Sequence, residues 1–170
     1  MKKFELTTDS KVVLGRKLFR IKALVSFGNV EKGEIGGYVE KEKNLSHDGD
    51  AWVSGNARVS GNACVSGNAC VYGDAEVYGN AWVYGDAEVS GNAWVSGNAD
   101  WAIVKGFGSC NRNTTFFRCK DGEIGVMCGC FAGNLEEFRK KVRETHGDTK
   151  FAKEYLIIAD LMESHFQEEK

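Results

Sequence analysis

The chain has 170 residues, with 22 lysines and arginines against 24 aspartates and glutamates and a formal net charge of −2. So even a balance supplies no global field to gather nucleic acid or an anionic membrane surface, and no stretch approaches the length of a membrane span. The N-terminus, Met1 to Ser10, carries no apolar run of signal-peptide length, so a cytoplasmic location is expected, with the six cysteines reduced.

Residues 1–34 show no repeat. Phe19, Ile21, Ala23 and Val25 alternate with Arg20, Lys22 and Leu24, so 17–27 reads as a strand, paired with 11–15 around Gly15. This N-terminal β cap is expected to plug the open end of the segment that follows.

Between Val53 and Ala99 one six-residue phrase recurs without insertion: valine, Ser or Tyr, Gly, Asn or Asp, Ala, then a free position. The valines stand at Val53, Val59, Val65, Val71, Val77, Val83, Val89 and Val95. Strand alternation sends Ala and Val to one side and the free position and Ser/Tyr to the other. The Gly-Asn or Gly-Asp pair tolerates positive φ and turns the chain. Three such sides close a triangular coil of eighteen residues, whose narrow interior admits only small side chains. A period of this kind marks a hexapeptide β-helix. Carried outward, the phase places Ile35, Lys41, His47 and Trp101 at valine positions and Val39, Leu45 and Ala51 at the inward small position. The solenoid is therefore expected over 35–106, in about four coils.

Residues eighteen apart stack, so the corners read Asp50, Asn68, Asp86, then Asn56, Asp74, Asn92, then Asn62, Asn80, Asn98. No two carboxylates are direct neighbours, and a structural amide ladder is expected in place of a calcium repeat. The outward positions are the freely chosen ones. One face carries Trp52, Cys70, Tyr72 and Glu88; a second carries Arg58, Glu76, Tyr78 and Trp94; a third carries Cys64, Trp82, Tyr84 and Asp100. Exposed aromatics at this density mark a surface that becomes buried, against the chain's own ends, a sister subunit or a ligand.

The segment 107–170 reads as a hairpin over 113–131, turning at Asp121-Gly122, followed by two helices. Asn134 and Glu137 form a capping box, and Gly147 closes the first helix. Asp148 or Thr149 opens the second, whose stripe Phe151, Tyr155, Ile158, Met162 and Phe166 is expected to bury against the hairpin and an aromatic face of the solenoid. In the hairpin, Cys128 and Cys130 are expected to share a face with Phe117, Cys119, Ile124 and Val126. A zinc site from Cys110, Cys119, Cys128 and Cys130 lacks the paired Cys-x-x-Cys spacing, so buried thiols are expected and no metal. His47, His146 and His165 are scattered, and no nucleophile, base and orienter or phosphate loop assembles from the sequence.

The repeat over 53–100 resembles the left-handed parallel β-helix of the hexapeptide-repeat superfamily, whose large apolar and small residues match Val and Ala here. The resemblance implies left-handed coils. Its best-known members are trimeric acyltransferases with a histidine base and a loop projecting from the coils, and this stretch contains neither. The whole chain is similar to small phage and prophage hexapeptide-repeat proteins. The similarity rests on Leu18 to Leu24, Gly36-Gly37-Tyr38-Val39, Asn44-Leu45-Ser46, the Gly-Asp-Ala and Gly-Asn-Ala coils, and Asp121-Gly122, Gly129-Cys130-Phe131, Leu135 to Phe138 and His146-Gly147.

That resemblance implies a phage setting, in which small non-enzymatic proteins bind host proteins or sequester host signals. The expectation is therefore a homo-oligomeric binding protein, a trimer, active in the host cytoplasm without a cofactor. Its ligand would be a host protein or a nucleotide-like molecule stacked on Trp or Tyr, with Arg meeting phosphate. The residues expected at a ligand site or interface are Trp52, Arg58, Tyr72, Tyr78, Trp82, Tyr84, Trp94, Arg112 and Arg118. The alternatives are a trimeric coenzyme-A-dependent acyltransferase using His47 or His165, and a virion assembly component.

Overall fold

Because extended backbone sends alternate side chains to opposite faces, each Ala-x-Val triplet turns its alanine and valine inward. The computed structural model, which describes residues 1–167, shows every repeat valine from Val53 to Val95 and every repeat alanine from Ala51 to Ala93 buried. Before the repeat come β1 (Phe4–Val13), β2 (Arg16–Ala23) and β3 (Ile35–Val39). The repeat supplies β4 (Trp52–Val53), β5 (Arg58–Val59), β6 (Cys64–Val65), β7 (Cys70–Val71), β8 (Glu76–Val77), β9 (Trp82–Val83), β10 (Glu88–Val89) and β11 (Trp94–Val95). After it come β12 (Trp101–Phe107), β13 (Arg112–Arg118), β14 (Ile124–Cys128), β15 (Phe131–Asn134), α1 (Leu135–His146) and α2 (Lys150–Phe166).

The short strands pair in parallel at a separation of eighteen, Trp52 on Cys70, Arg58 on Glu76 and Cys64 on Trp82. The molecule is therefore mainly β, a parallel β-solenoid of about three turns with two helices added. The corner ladder forms along the axis: Asn56 Nδ2 donates to Asp74 Oδ1 at 3.2 Å, Asn62 Nδ2 to Asn80 Oδ1 at 3.3 Å and Asn68 Nδ2 to Asp86 Oδ1 at 3.0 Å.

The lead-in coil departs from the period. Val39 pairs with Val59 and Leu45 with Val65, twenty residues apart, whereas Trp52 and all later positions stack at eighteen. Two extra residues therefore lie between Leu45 and Trp52, and the phase carried back through them fails. Val39 and Leu45 fill valine positions, while Ile35 and Lys41 are exposed and His47 is half-buried at the rim. Gly37 takes the alanine place, where an added Cβ would come within 2.7 Å of the Ala57 carbonyl oxygen.

The N-terminal hairpin continues the second face. β2 pairs antiparallel with both β1 and β3, giving one six-stranded sheet ordered β1-β2-β3-β5-β8-β11. The strand read over 17–27 ends at Ala23. Phe4 and Ile21 are fully buried over the first coil, and Lys3 Nζ donates to the carbonyls of Gly49 and Ala51 at 3.0 and 2.8 Å. An ammonium thus satisfies acceptors that a preceding coil would otherwise have paired.

At the other end, Trp101–Phe107, expected within the solenoid as far as Gly106, is the first strand of a four-stranded antiparallel sheet, β12-β13-β14-β15. Trp101 closes the interior and stays buried, but the chain then leaves the coil path. The expected hairpin is its centre, with a register one residue away from the one a two-residue turn at Asp121-Gly122 implies. Arg118 faces Ile124 and Phe117 faces Gly125, so 119–123 form the loop. A one-residue slip exchanges faces. Phe117, Cys119 and Met127 turn to the solenoid, while Phe116, Val126 and Cys128 turn to the helices. The sheet is thus interposed, and the α2 stripe Tyr155, Ile158, Met162 and Phe166 buries against it and α1 rather than against the solenoid. Arg139 ties the helices together through Glu136 on α1 and Asp160 and Glu163 on α2. Among the described residues, no helix is long and apolar enough to cross a membrane.

Candidate binding groove on the second solenoid face

Stacking of β5, β8 and β11 puts Arg58, Glu76 and Trp94 in one outward column and Ser60, Tyr78 and Ser96 in the next. The Tyr78 and Trp94 rings lie 5.7 Å apart, tilted by 35°, and form a shelf. Trp94 is about half exposed. The tip of the β1-β2 hairpin folds over one side of this shelf because β2 is hydrogen-bonded to the same sheet. Leu14, Arg16 and Leu18 then wall a cavity of about 190 Å³ with Arg58, Tyr78 and Trp94. On the other side the end of β13 and the β13-β14 loop bring Arg118 and Lys120 to a second depression of about 340 Å³ that shares Tyr78 and Trp94.

Four cations surround the shelf, against three carboxylates. Arg16 pairs with Glu40 at 2.9 Å and Arg118 with Asp100 at 3.0 Å, while Arg58 and Lys120 share Glu76. Burial and then the nearby Arg58 guanidinium lower the Lys120 ammonium from its ordinary value. Arg58 Nε is buried without a hydrogen-bond partner among the described residues. The groove therefore offers a planar aromatic platform, a slight excess of positive charge and donors on both flanks, the elements that hold a flat anion.

Of the nine residues singled out in the sequence, Arg58, Tyr78, Trp94 and Arg118 converge here. Trp52 does not contribute: it is buried under the N-terminal segment, with Phe27 against it edge-on at 5.4 Å. Tyr72 is half covered by the C-terminal sheet, its hydroxyl donating to Glu88 at 3.4 Å with Met127 Sδ alongside. Trp82 and Tyr84 form a separate pair on the third face, rings 5.3 Å apart and each about half exposed. Arg112 lies at the far end of the C-terminal sheet, with Cys110, Cys128 and Cys130 beside a different cavity. Cys119 is on the opposite face of that sheet, so the four cysteines do not converge. Arg16, Leu14, Leu18 and Lys120 were not legible as site residues, since they reach the groove only through the pairing of β2 with β3 and the β13-β14 loop.

The fold is that of a β-solenoid repeat protein. A family model described as the YdcK β-solenoid repeat matches residues 51–67, within the first regular coil. No curated protein matches the chain.

Proposed function

We propose that this chain is a non-enzymatic binding protein of phage or prophage origin that acts in the host cytoplasm, sequestering a nucleotide-like signal of a defence pathway. The solenoid is taken as a left-handed member of the hexapeptide-repeat superfamily. The observation that carries the reading is the Tyr78–Trp94 shelf set between Arg58 with Arg16 and Arg118 with Lys120. A base stacks on the shelf, and phosphate displaces Glu76 or Asp100 from an arginine.

Calorimetry against a panel of linear and cyclic mono- and dinucleotides tests this. Binding by at least one member, weakened roughly tenfold or more in Trp94→Ala and in Arg58→Ala, is expected. Absence of heat with every member would leave a host protein as the better ligand.

Self-association belongs to the same proposal. Trp82 and Tyr84 on the third face are 53% and 51% exposed, although Trp101 of the C-terminal sheet packs edge-on against Tyr84 at 5.3 Å. A homotrimer would bury that face, and light scattering should give three times the chain mass; a monomer mass sinks this part. The acyltransferase alternative draws less support from His47, whose Nδ1 accepts from the Lys3 amide at 3.1 Å, whose Nε2 meets Glu42 at 2.7 Å and whose ring stacks on Phe4, while His165 stands exposed near the end of α2.

A further inference from the structure

A second cavity, about 290 Å³ in volume, opens between the C-terminal sheet and the two helices, remote from the solenoid shelf. That size is at the small end of natural ligand pockets. Its floor is apolar: Phe138, Val142 and Tyr155 are 3%, 4% and 5% exposed, with Phe131 beside them. The polar atoms that reach the floor are already engaged. The Tyr155 hydroxyl donates to the Phe107 carbonyl at 3.3 Å, and Thr114 Oγ1 lies 3.2 Å from Cys128 Sγ. A ligand entering there meets hydrocarbon and aromatic carbon on the floor, with Thr145 and His146 on the wall beside Tyr155.

The mouth is different. Arg112 and Lys141 are exposed at the rim, and among the described residues no aspartate or glutamate lines the cavity. Neither cation is within ion-pair distance of a carboxylate among the described residues. The neighbouring cations on α1 differ from Lys141: Arg139 meets three carboxylates and Lys140 pairs with Glu144. The Arg112 guanidinium lies over the turn at Gly129, where φ is +60° and an added Cβ would overlap it. Beside it, hydrogen bonding from Ser109 and then Arg112 lowers the exposed Cys110 thiol from its ordinary value.

We infer that this cavity binds a small apolar-tailed carboxylate, its tail on Phe138, Val142 and Tyr155 and its head group between Arg112 and Lys141. A buried apolar floor with two unmatched cations at the mouth is complementary to that shape and charge, and a charge-assisted contact to Arg112 fixes the direction of entry. This site does not depend on the nucleotide reading, and the two share no residue.

Calorimetry of the full chain with octanoate, and separately with octanol, provides the test. Saturable one-site binding of octanoate is expected, with octanol at least about tenfold weaker because the head-group contact is lost. Arg112→Gln and Lys141→Gln, both at exposed positions that leave the melting temperature unchanged, should each weaken octanoate several-fold. Trp94→Ala should leave it unaltered. Octanoate should also slow alkylation of Cys110 by iodoacetamide, read by mass spectrometry. No saturable heat with octanoate, equal binding of octanol, or octanoate binding indifferent to both rim variants would overturn the inference.

Discussion

At the corner of each coil a glycine meets two separate demands, and Gly67 and Gly85 distinguish them. Both have φ near +70°, a conformation costing a non-glycine residue about 1–2 kcal/mol. A Cβ on Gly67 would also sit 2.9 Å from the Gly85 amide nitrogen of the next coil, whereas one on Gly85 meets nothing within 4 Å. Gly85→Ala should therefore lose only the conformational part, and Gly67→Ala roughly 1–3 kcal/mol more from crowding, both read from urea midpoints. Equal losses would mean that the coil above yields freely.

A second residue carries a pH signature. Burial pushes the Cys119 thiol up to about 11, from 9.0. Between those values the folded state holds a proton that the unfolded state has released. Its contribution is thus complete below pH 9 and is lost as pH rises toward 11, about 2–3 kcal/mol in all. Cys119→Val should flatten the fall in stability between about pH 8 and about pH 10.5; an unchanged slope would assign the fall to other groups. Arg58, Tyr78 and Trp94 were legible as neighbours from the sequence because a strict period fixes who stacks on whom. Arg118 arrives beside them through tertiary contacts that no local pattern encodes.

Elements with local start and stop signals were read closely. Asn134 Oδ1 accepts from the Glu137 amide at 2.9 Å, Glu137 Oε2 accepts from the Asn134 amide at 2.9 Å, and Gly147 ends α1 at φ +54°. Asn134→Ala should cost about 1 kcal/mol and Asn134→Asp much less, measured by denaturation followed at the helical ellipticity. A loss of only a few tenths in the alanine variant would mean that Leu135 and Phe138 packing alone sets the helix start. The β13-β14 register was not readable to the residue, because Asp121-Gly122 fits both a two-residue turn and the observed 119–123 loop. With alternation of period two, that single step inverted the assignment of Phe117 and Cys119. Strand β12 was hidden because Trp101 keeps the repeat's phase and drew the segment into the solenoid, and β15, only four residues long, contains or adjoins glycines that also suit loops.

Over the whole molecule, the C-terminal sheet is the shared wall of two cores. Phe117, Met127 and Trp101 join the solenoid core, and Phe116 and Val126 join the helical one. Neither core is complete without the sheet, so unfolding should be a single transition. Tryptophan fluorescence, from Trp52, Trp82, Trp94 and Trp101 in or next to the solenoid, and ellipticity from α1 and α2 should give coincident curves in urea. Separated midpoints would show that the two parts stand alone.

The uniform spacing of eighteen after Trp52 has a consequence for how such a chain can change length. Each six-residue phrase advances the path by one side of a triangle, so the repeat behaves as a dial with three stops. Adding or removing three phrases returns the C-terminal sheet to the side where Thr115 receives the Glu88 amide and Cys119 meets Ala93. Adding one phrase leaves every coil equally well packed, yet carries that sheet around to a side bearing different outward residues. Length is thus free in steps of a full turn, and any smaller step would exchange which aromatics are covered and which face solvent.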